Sequence, residues 1–204
     1  MRKILSILCV VLPACALVTG GCSSASHPPS PDYKTLAKDL HRDTDKAKQA
    51  TNQAVALMKQ DKYAEAESLL QDALNADVTY GPAHNNLGVV YYHESKFYQA
   101  AWEFQYAAKL MPDQPEPCNN LGLVLEAAGK LQEAVTSYDE AVKMAPNNPQ
   151  YVGNDARARF RRGDRDAKEK ELLQRLITID TRPVWSAWAR EKLELMVASS
   201  ATKP

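Results

Sequence analysis

The sequence predicts an all-α fold, an α-solenoid of stacked antiparallel helix pairs. Three observations carry this. The chain resembles itself at a period of 34 residues from about residue 45 to residue 146. Glycine is scarce, at 8 in 204 residues, and Ala, Leu, Lys, Glu and Gln abound after residue 33, a composition that favours helix. Each repeat holds two runs with apolar residues at helical spacing, such as Leu87, Val90 and Tyr91, then Ala100, Ala101, Phe104, Ala107 and Ala108, with a short polar turn between.

The repeats align at Asn52, Asn86 and Asn120. Small residues recur at Ala54, Gly88 and Gly122, where two helices cross and their backbones must approach. Alanines recur at Ala66, Ala100 and Ala134, and again at Ala73, Ala107 and Ala141. A bulky residue recurs at Leu70, Phe104 and Tyr138, turns at Lys62-Tyr63, Lys96-Phe97 and Lys130-Leu131, and Pro112 and Pro146 close two units. This pattern resembles the tetratricopeptide repeat (TPR) family. The resemblance implies units at about 47–80, 81–114 and 115–148 and a degenerate fourth at 149–182. In that last unit Ala156 and Gly163 keep phase, Arg159 replaces an apolar residue and Ala167 falls one place early. Leu172, Leu173, Leu176 and Ile177 still form a helical stripe. A capping helix is expected over 183–198 within a domain of 32–198, because an open solenoid end must be covered. Its Trp185 and Trp188 read either as packing onto the last repeat or as a partner anchor. Residues 199–204 form a tail, and Tyr33, Leu36 and Leu40 suggest a short helix leading into the first repeat.

The N-terminus reads as an address. Arg2 and Lys3 precede a mostly apolar run over 4–18, too short for a comfortable membrane span and followed at once by small residues. The run ends Val18-Thr19-Gly20-Gly21-Cys22, which resembles the bacterial lipobox, with Thr19 where that motif usually has Leu. The resemblance implies a signal peptide over 1–21 and lipidation of Cys22, several acyl chains being needed for stable anchoring. Ser23 after the cysteine leans toward the outer membrane, facing the periplasm. Residues 23–31, Ser- and Pro-rich, would form a tether reaching about 25–30 Å at ~3 Å per residue. Cys118 is the one cysteine downstream and reads as a buried packing residue.

Asn52, Asn86, Asn120 and Asn154 stand 34 residues apart, the last persisting although its repeat has decayed. In the TPR family this place on the first helix of a pair faces the concave groove. The row resembles the asparagine ladders of O-linked N-acetylglucosamine transferases. An amide offers donor and acceptor together, so a ladder could grip the main chain of an extended peptide. Asn85, Asn119, Val89, Tyr92 and Leu123 would complete the groove, with Val55, Met58 and Phe160 beside them. The other reading is that the amides bond to neighbouring helices and are structural. The carboxylate-clamp subtype needs Lys or Arg on the third pair, where Glu116 and Asn120 stand.

Charge is balanced, 25 basic against 25 acidic, so no basic field would draw in nucleic acid. No nucleotide-binding or HExxH motif appears, and His27, His41, His84 and His93 lack partners at ligand spacing, so neither metal, cofactor nor catalytic residue is expected. Arg157, Arg159, Arg161 and Arg162 read as a solvated face balanced by Asp164 and Asp166. The expected partner is a protein or extended peptide, with no small-molecule substrate and with the membrane reached through the lipid. The plan resembles small TPR lipoproteins that help build pilus or secretin machines; an adaptor for cell-wall hydrolases or synthases is the rival.

Overall fold

The computed structural model describes residues 42–201, with side chains to residue 198. The signal peptide, Cys22, the tether and the lead-in at Tyr33, Leu36 and Leu40 lie outside the described residues. Helices alternate between an inner A and an outer B member of each pair. They run α1 Thr44–Met58 and α2 Tyr63–Ala76, α3 Gly81–His93 and α4 Phe97–Leu110, α5 Pro115–Ala127 and α6 Leu131–Met144, α7 Pro149–Arg162 and α8 Ala167–Ile179, then α9 Pro183–Ala201. The architecture is all-α.

Local chemistry fixes the ends. Prolines open α3, α5 and α7, where the missing N–H costs nothing. Asp43, Asn148 and Asp166 cap α1, α7 and α8, each accepting from backbone N–H groups of the first turn. Every A helix stops through a left-handed residue, and these recur at the repeat period: Asp61 (φ 58°), Ser95 (φ 60°), Gly129 (φ 77°) and Gly163 (φ 98°). The next N–H then bonds back to the A helix, Lys62 to Leu57, Lys96 to Tyr91, Lys130 to Leu125 and Asp164 to Arg159.

Packing follows the small-against-large pattern of the sequence. A Cβ on Gly88 would come within 2.7 Å of the Phe104 ring, and one on Gly122 within 2.5 Å of the Tyr138 ring. Ala54, Ala66, Leu70, Ala73, Ala100, Phe104, Ala107, Ala134, Tyr138 and Ala141 are all buried. Neighbouring A helices touch (α1 with α3, α3 with α5, α5 with α7), whereas no two B helices make comparable contact. The A helices therefore line the inner, concave side. Cys118 is buried and forms no disulfide among the described residues. Gly163 keeps its turn, but α8 starts at Ala167, which is exposed, and Glu169 rather than an alanine enters the interior. Leu172 takes the place of Tyr138 one period on.

Candidate functional site

The concave face is built from the A helices, with one residue per period at each level. Asn52 is exposed, and Asn86 and Asn120 are half-buried. A shallow cavity of about 440 Å³ is lined by Asn52, Gln49, Gln53 and Ala56. A second, of about 620 Å³, is lined by Asn85, Asn86, Pro82 and Glu116 with Met111 of the following turn. The first two rungs of the ladder thus sit beside space that a chain could enter. Val89, Tyr92 and Leu123 are half-buried and pack against the interior shared by the second and third pairs. Tyr92 also leans on Phe97, at 5.9 Å between ring centres.

The ladder changes character along its length. Asn154 is 6 % exposed and Asn119 only 1 %. Asn154 Nδ2 donates to Asn119 Oδ1 at 2.8 Å, Asn119 Nδ2 to Asn120 Oδ1 at 3.3 Å, and Asn120 Nδ2 to Asn85 Oδ1 at 3.1 Å. This relay staples α7 to α5 and α5 to α3. Asn86 instead donates to the carbonyl of Pro82 in its own helix at 2.7 Å, and Thr51, which stands where Asn85 and Asn119 stand later, bonds to Ala47. The expectation that all the amides face an open groove is corrected here: Asn119 and Asn154 are buried, and Asn154 donates to Asn119 in the interior, because a buried amide must be paired.

Glu126 is the groove's electrostatic hub. Arg157 reaches it at 2.8 Å, Arg161 at 2.5 Å, and the Tyr138 hydroxyl donates to it at 2.9 Å. Burial would raise its carboxyl, but the bonds from Arg157 and Arg161 win and hold it below the usual carboxylate range. The same burial, with the Glu126 charge beside it, pushes the Tyr138 phenol far up. The arginine cluster is therefore no solvated face. Arg159, 7 % exposed, is bonded to Asp155 at 2.9 Å and to Asp139, and Arg162 holds Asp164. Asp166 caps α8 instead of balancing an arginine.

At the far end, Trp188 stands one further period along from Asn154 and so takes the next place in the row. It meets Phe160 at 6.2 Å and Trp185 at 5.9 Å, and both tryptophans pack against the interior of the fourth pair. Arg157 and Arg182 lie over the Trp185 ring. His84 is buried between Glu103 (2.6 Å) and the Val78 carbonyl (2.8 Å), and His93 stacks on Tyr63 at 4.4 Å. Sequence reasoning missed Glu126 and the buried Asp155 and Glu169. The signal was available, since all three are charged residues at inward-facing helical positions.

Residues 115–148, the third unit, match the family model of a tetratricopeptide repeat. The fold is that of a TPR solenoid. A second family model, the coatomer epsilon subunit, matches residues 38–109. No curated protein matches the chain in sequence. Among solved structures the chain is similar to that of Pseudomonas aeruginosa pilF (TM-score 0.65, 18 % identity, covering 82 % of this chain and 77 % of that one). It is also similar to the first TPR of Spaghetti bound to an HSP90 peptide (TM-score 0.59, 23 % identity, covering 61 % and 99 %). A third likeness is to a TPR protein from Parabacteroides merdae (TM-score 0.65, 12 % identity, covering 76 % and 61 %). TPR proteins mediate protein–protein interaction, and the Spaghetti structure carries a bound peptide.

Proposed function

We propose that this protein is a lipid-anchored scaffold of the bacterial envelope that holds an extended segment of a partner protein in its concave groove, and that it serves assembly of an envelope machine such as a pilus or secretin. The observation that carries the reading is the pair of open cavities at the first two amide rungs. There Asn52, Asn85 and Asn86 present donors and acceptors beside apolar Ala56, Pro82 and Met111. A main chain offers alternating N–H and C=O groups, and side-chain amides can pair with both whatever the partner's sequence. The anchor is Cys22, which keeps the groove within tether's reach of the outer membrane on its periplasmic side. The scaffold performs no chemistry of its own.

The test is a crosslinking pull-down from envelopes with the full lipidated chain, comparing wild type with Asn52→Ala/Asn86→Ala/Asn120→Ala. Asn154 is left alone because it is buried. A partner captured by the wild type and lost by the variant, with an unchanged melting curve, supports the groove. Capture undiminished by the variant overturns it. If the captured partner is a wall hydrolase or synthase, the machine-assembly reading gives way to a regulatory adaptor.

A further inference from the structure

The repeat is its own control for what an outer surface should look like. On the outward face of the B helices, three positions a helical turn apart read Ala64, Ser68 and Asp72 in the first unit and Gln132, Thr136 and Glu140 in the third. These are small or polar, as a solvated face requires. The second unit carries Tyr98, Trp102 and Tyr106 at the same three positions. Tyr98 is 84 % exposed and Trp102 61 % exposed. They lie at i and i+4, side by side on α4. Tyr106 turns its ring against His84, at 4.6 Å, and belongs to the packing.

The surroundings state what could lie on this pair. The three B helices α2, α4 and α6 carry Glu65, Glu67, Asp72, Glu103, Glu133, Asp139 and Glu140 against only Lys109 and Lys143. Five of these charges are met within the chain, by Lys96 at Glu67, His84 at Glu103, Lys130 at Glu133, Arg159 at Asp139 and Lys143 at Glu140. Glu65 and Asp72 form no ion pair among the described residues. Elsewhere the chain covers its own rings with its own cations: Lys96 over Tyr91, Arg157 and Arg182 over Trp185, Arg165 and Lys192 over Phe160. No cation of the described residues lies over Tyr98 or Trp102. Tryptophan is the best cation–π face, and the unpaired Glu65 and Asp72 on the preceding B helix add attraction for a cation rather than an anion.

We propose that the Tyr98–Trp102 face of α4 is a second docking surface, separate from the groove, for a basic segment of a partner protein that places an arginine or lysine over the Trp102 ring. Arginine fits best, since its flat guanidinium stacks on the ring while its edge reaches carboxylates. The size agrees with an anchor for a segment. A pair of aromatic side chains of this kind offers on the order of 300 Å², whereas a stable dimer needs about 800 Å² from each copy. The surface is independent of the amide ladder, because α4 is a B helix and the ladder runs along the A helices.

The test uses the full chain and a fluorescein-labelled peptide of alternating arginine and serine, with lysine and glutamate counterparts, read by anisotropy. The arginine peptide should bind, the lysine peptide more weakly, and the glutamate peptide not at all. Binding should weaken as salt rises, because the surround is charged. Trp102→Ala should lower affinity at least fivefold, Trp102→Phe should retain most of it, and Thr136→Ala at the matching place one unit on should change nothing. The Asn52→Ala/Asn86→Ala/Asn120→Ala variant should also bind normally, which separates this face from the groove. Equal binding of the glutamate peptide, or unchanged affinity in Trp102→Ala, overturns the proposal. So does a dimer seen in sedimentation that Trp102→Ala dissolves while peptide binding stays the same, which would make the face a self-association surface.

Discussion

The third and fourth helix pairs solve the same packing problem with opposite chemistry. In the third, Leu121, Leu125 and Val135 fill the space between α5 and α6, at 2, 6 and 3 % exposure. One period later the same places hold Asp155, Arg159 and Glu169, at 0, 7 and 0 %. An apolar triad has become an ionic one at the same depth. Asp155 and Arg159 pair, Asp139 and Asp164 add to the arginine from α6 and the α7–α8 turn, and both Glu169 oxygens are left without a hydrogen-bond partner. At these three places the third pair is held by shape, and none of the three side chains titrates. The fourth is held by charge, and its stability depends on which of its carboxyls carry protons.

Breaking the charge side should have the largest effect. Arg159→Leu removes the buried cation of this triad and leaves Asp155 uncompensated, so the fourth pair should lose about 3–5 kcal/mol in urea unfolding. Converting the whole triad is expected to act in the opposite direction. Asp155→Leu/Arg159→Leu/Glu169→Val restores the apolar pattern of the third pair and should stabilise by about 1–4 kcal/mol. A triple variant less stable than the parent would show that the ionic arrangement earns its place by stability alone.

Acidity sharpens the same contrast. Burial, then the nearby Asp155 charge, pushes Glu169 up to about 8, and burial with the Asp139 charge pushes Asp155 up to about 7. Groups raised in the fold favour it while protonated. Their contribution is complete below the ordinary carboxylate range and is lost as pH climbs through 7 to 8. Glu126 and Asp164, held low by arginines, act the other way and lose their contribution in acid. Thermal melts should therefore show a maximum near mildly acidic pH and a midpoint several degrees lower at pH 9 than at pH 6. Glu169→Gln should flatten the alkaline limb; an unchanged limb would place the titration elsewhere.

Smaller effects probe the shape side and the ladder. Gly122→Ala drives a methyl into the Tyr138 ring, and overpacking of this kind should cost about 1–3 kcal/mol. Asn119→Ala removes a buried link of the amide relay and should cost about 1 kcal/mol in a denaturant melt, whereas the exposed Asn52→Ala should leave stability within experimental error.

The period, the helix pairs and the small-against-large crossings were determined by the sequence, because each is a local rule repeated in phase. Gly88 and Gly122 announce the close approach of a ring, and prolines and turns announce the ends. Chain phase also placed the amides on the inner helices. Their fate was decided only by tertiary structure. Asn52 and Asn154 are equivalent in the sequence, yet Asn52 is exposed while Asn154 donates to Asn119 of the preceding A helix, a partner that α1 does not have among the described residues. The arginine cluster shows the same division. Sequence supplied four positive charges in six residues beside two acids in the following turn. Which carboxylates meet them depended on Glu126 and Asp139, 20 to 35 residues away, brought into range by the stacking of α5 and α6 on α7. Burial and long-range pairing are properties of neighbours in space, and a repeat fixes its own helices before it fixes who stands beside them.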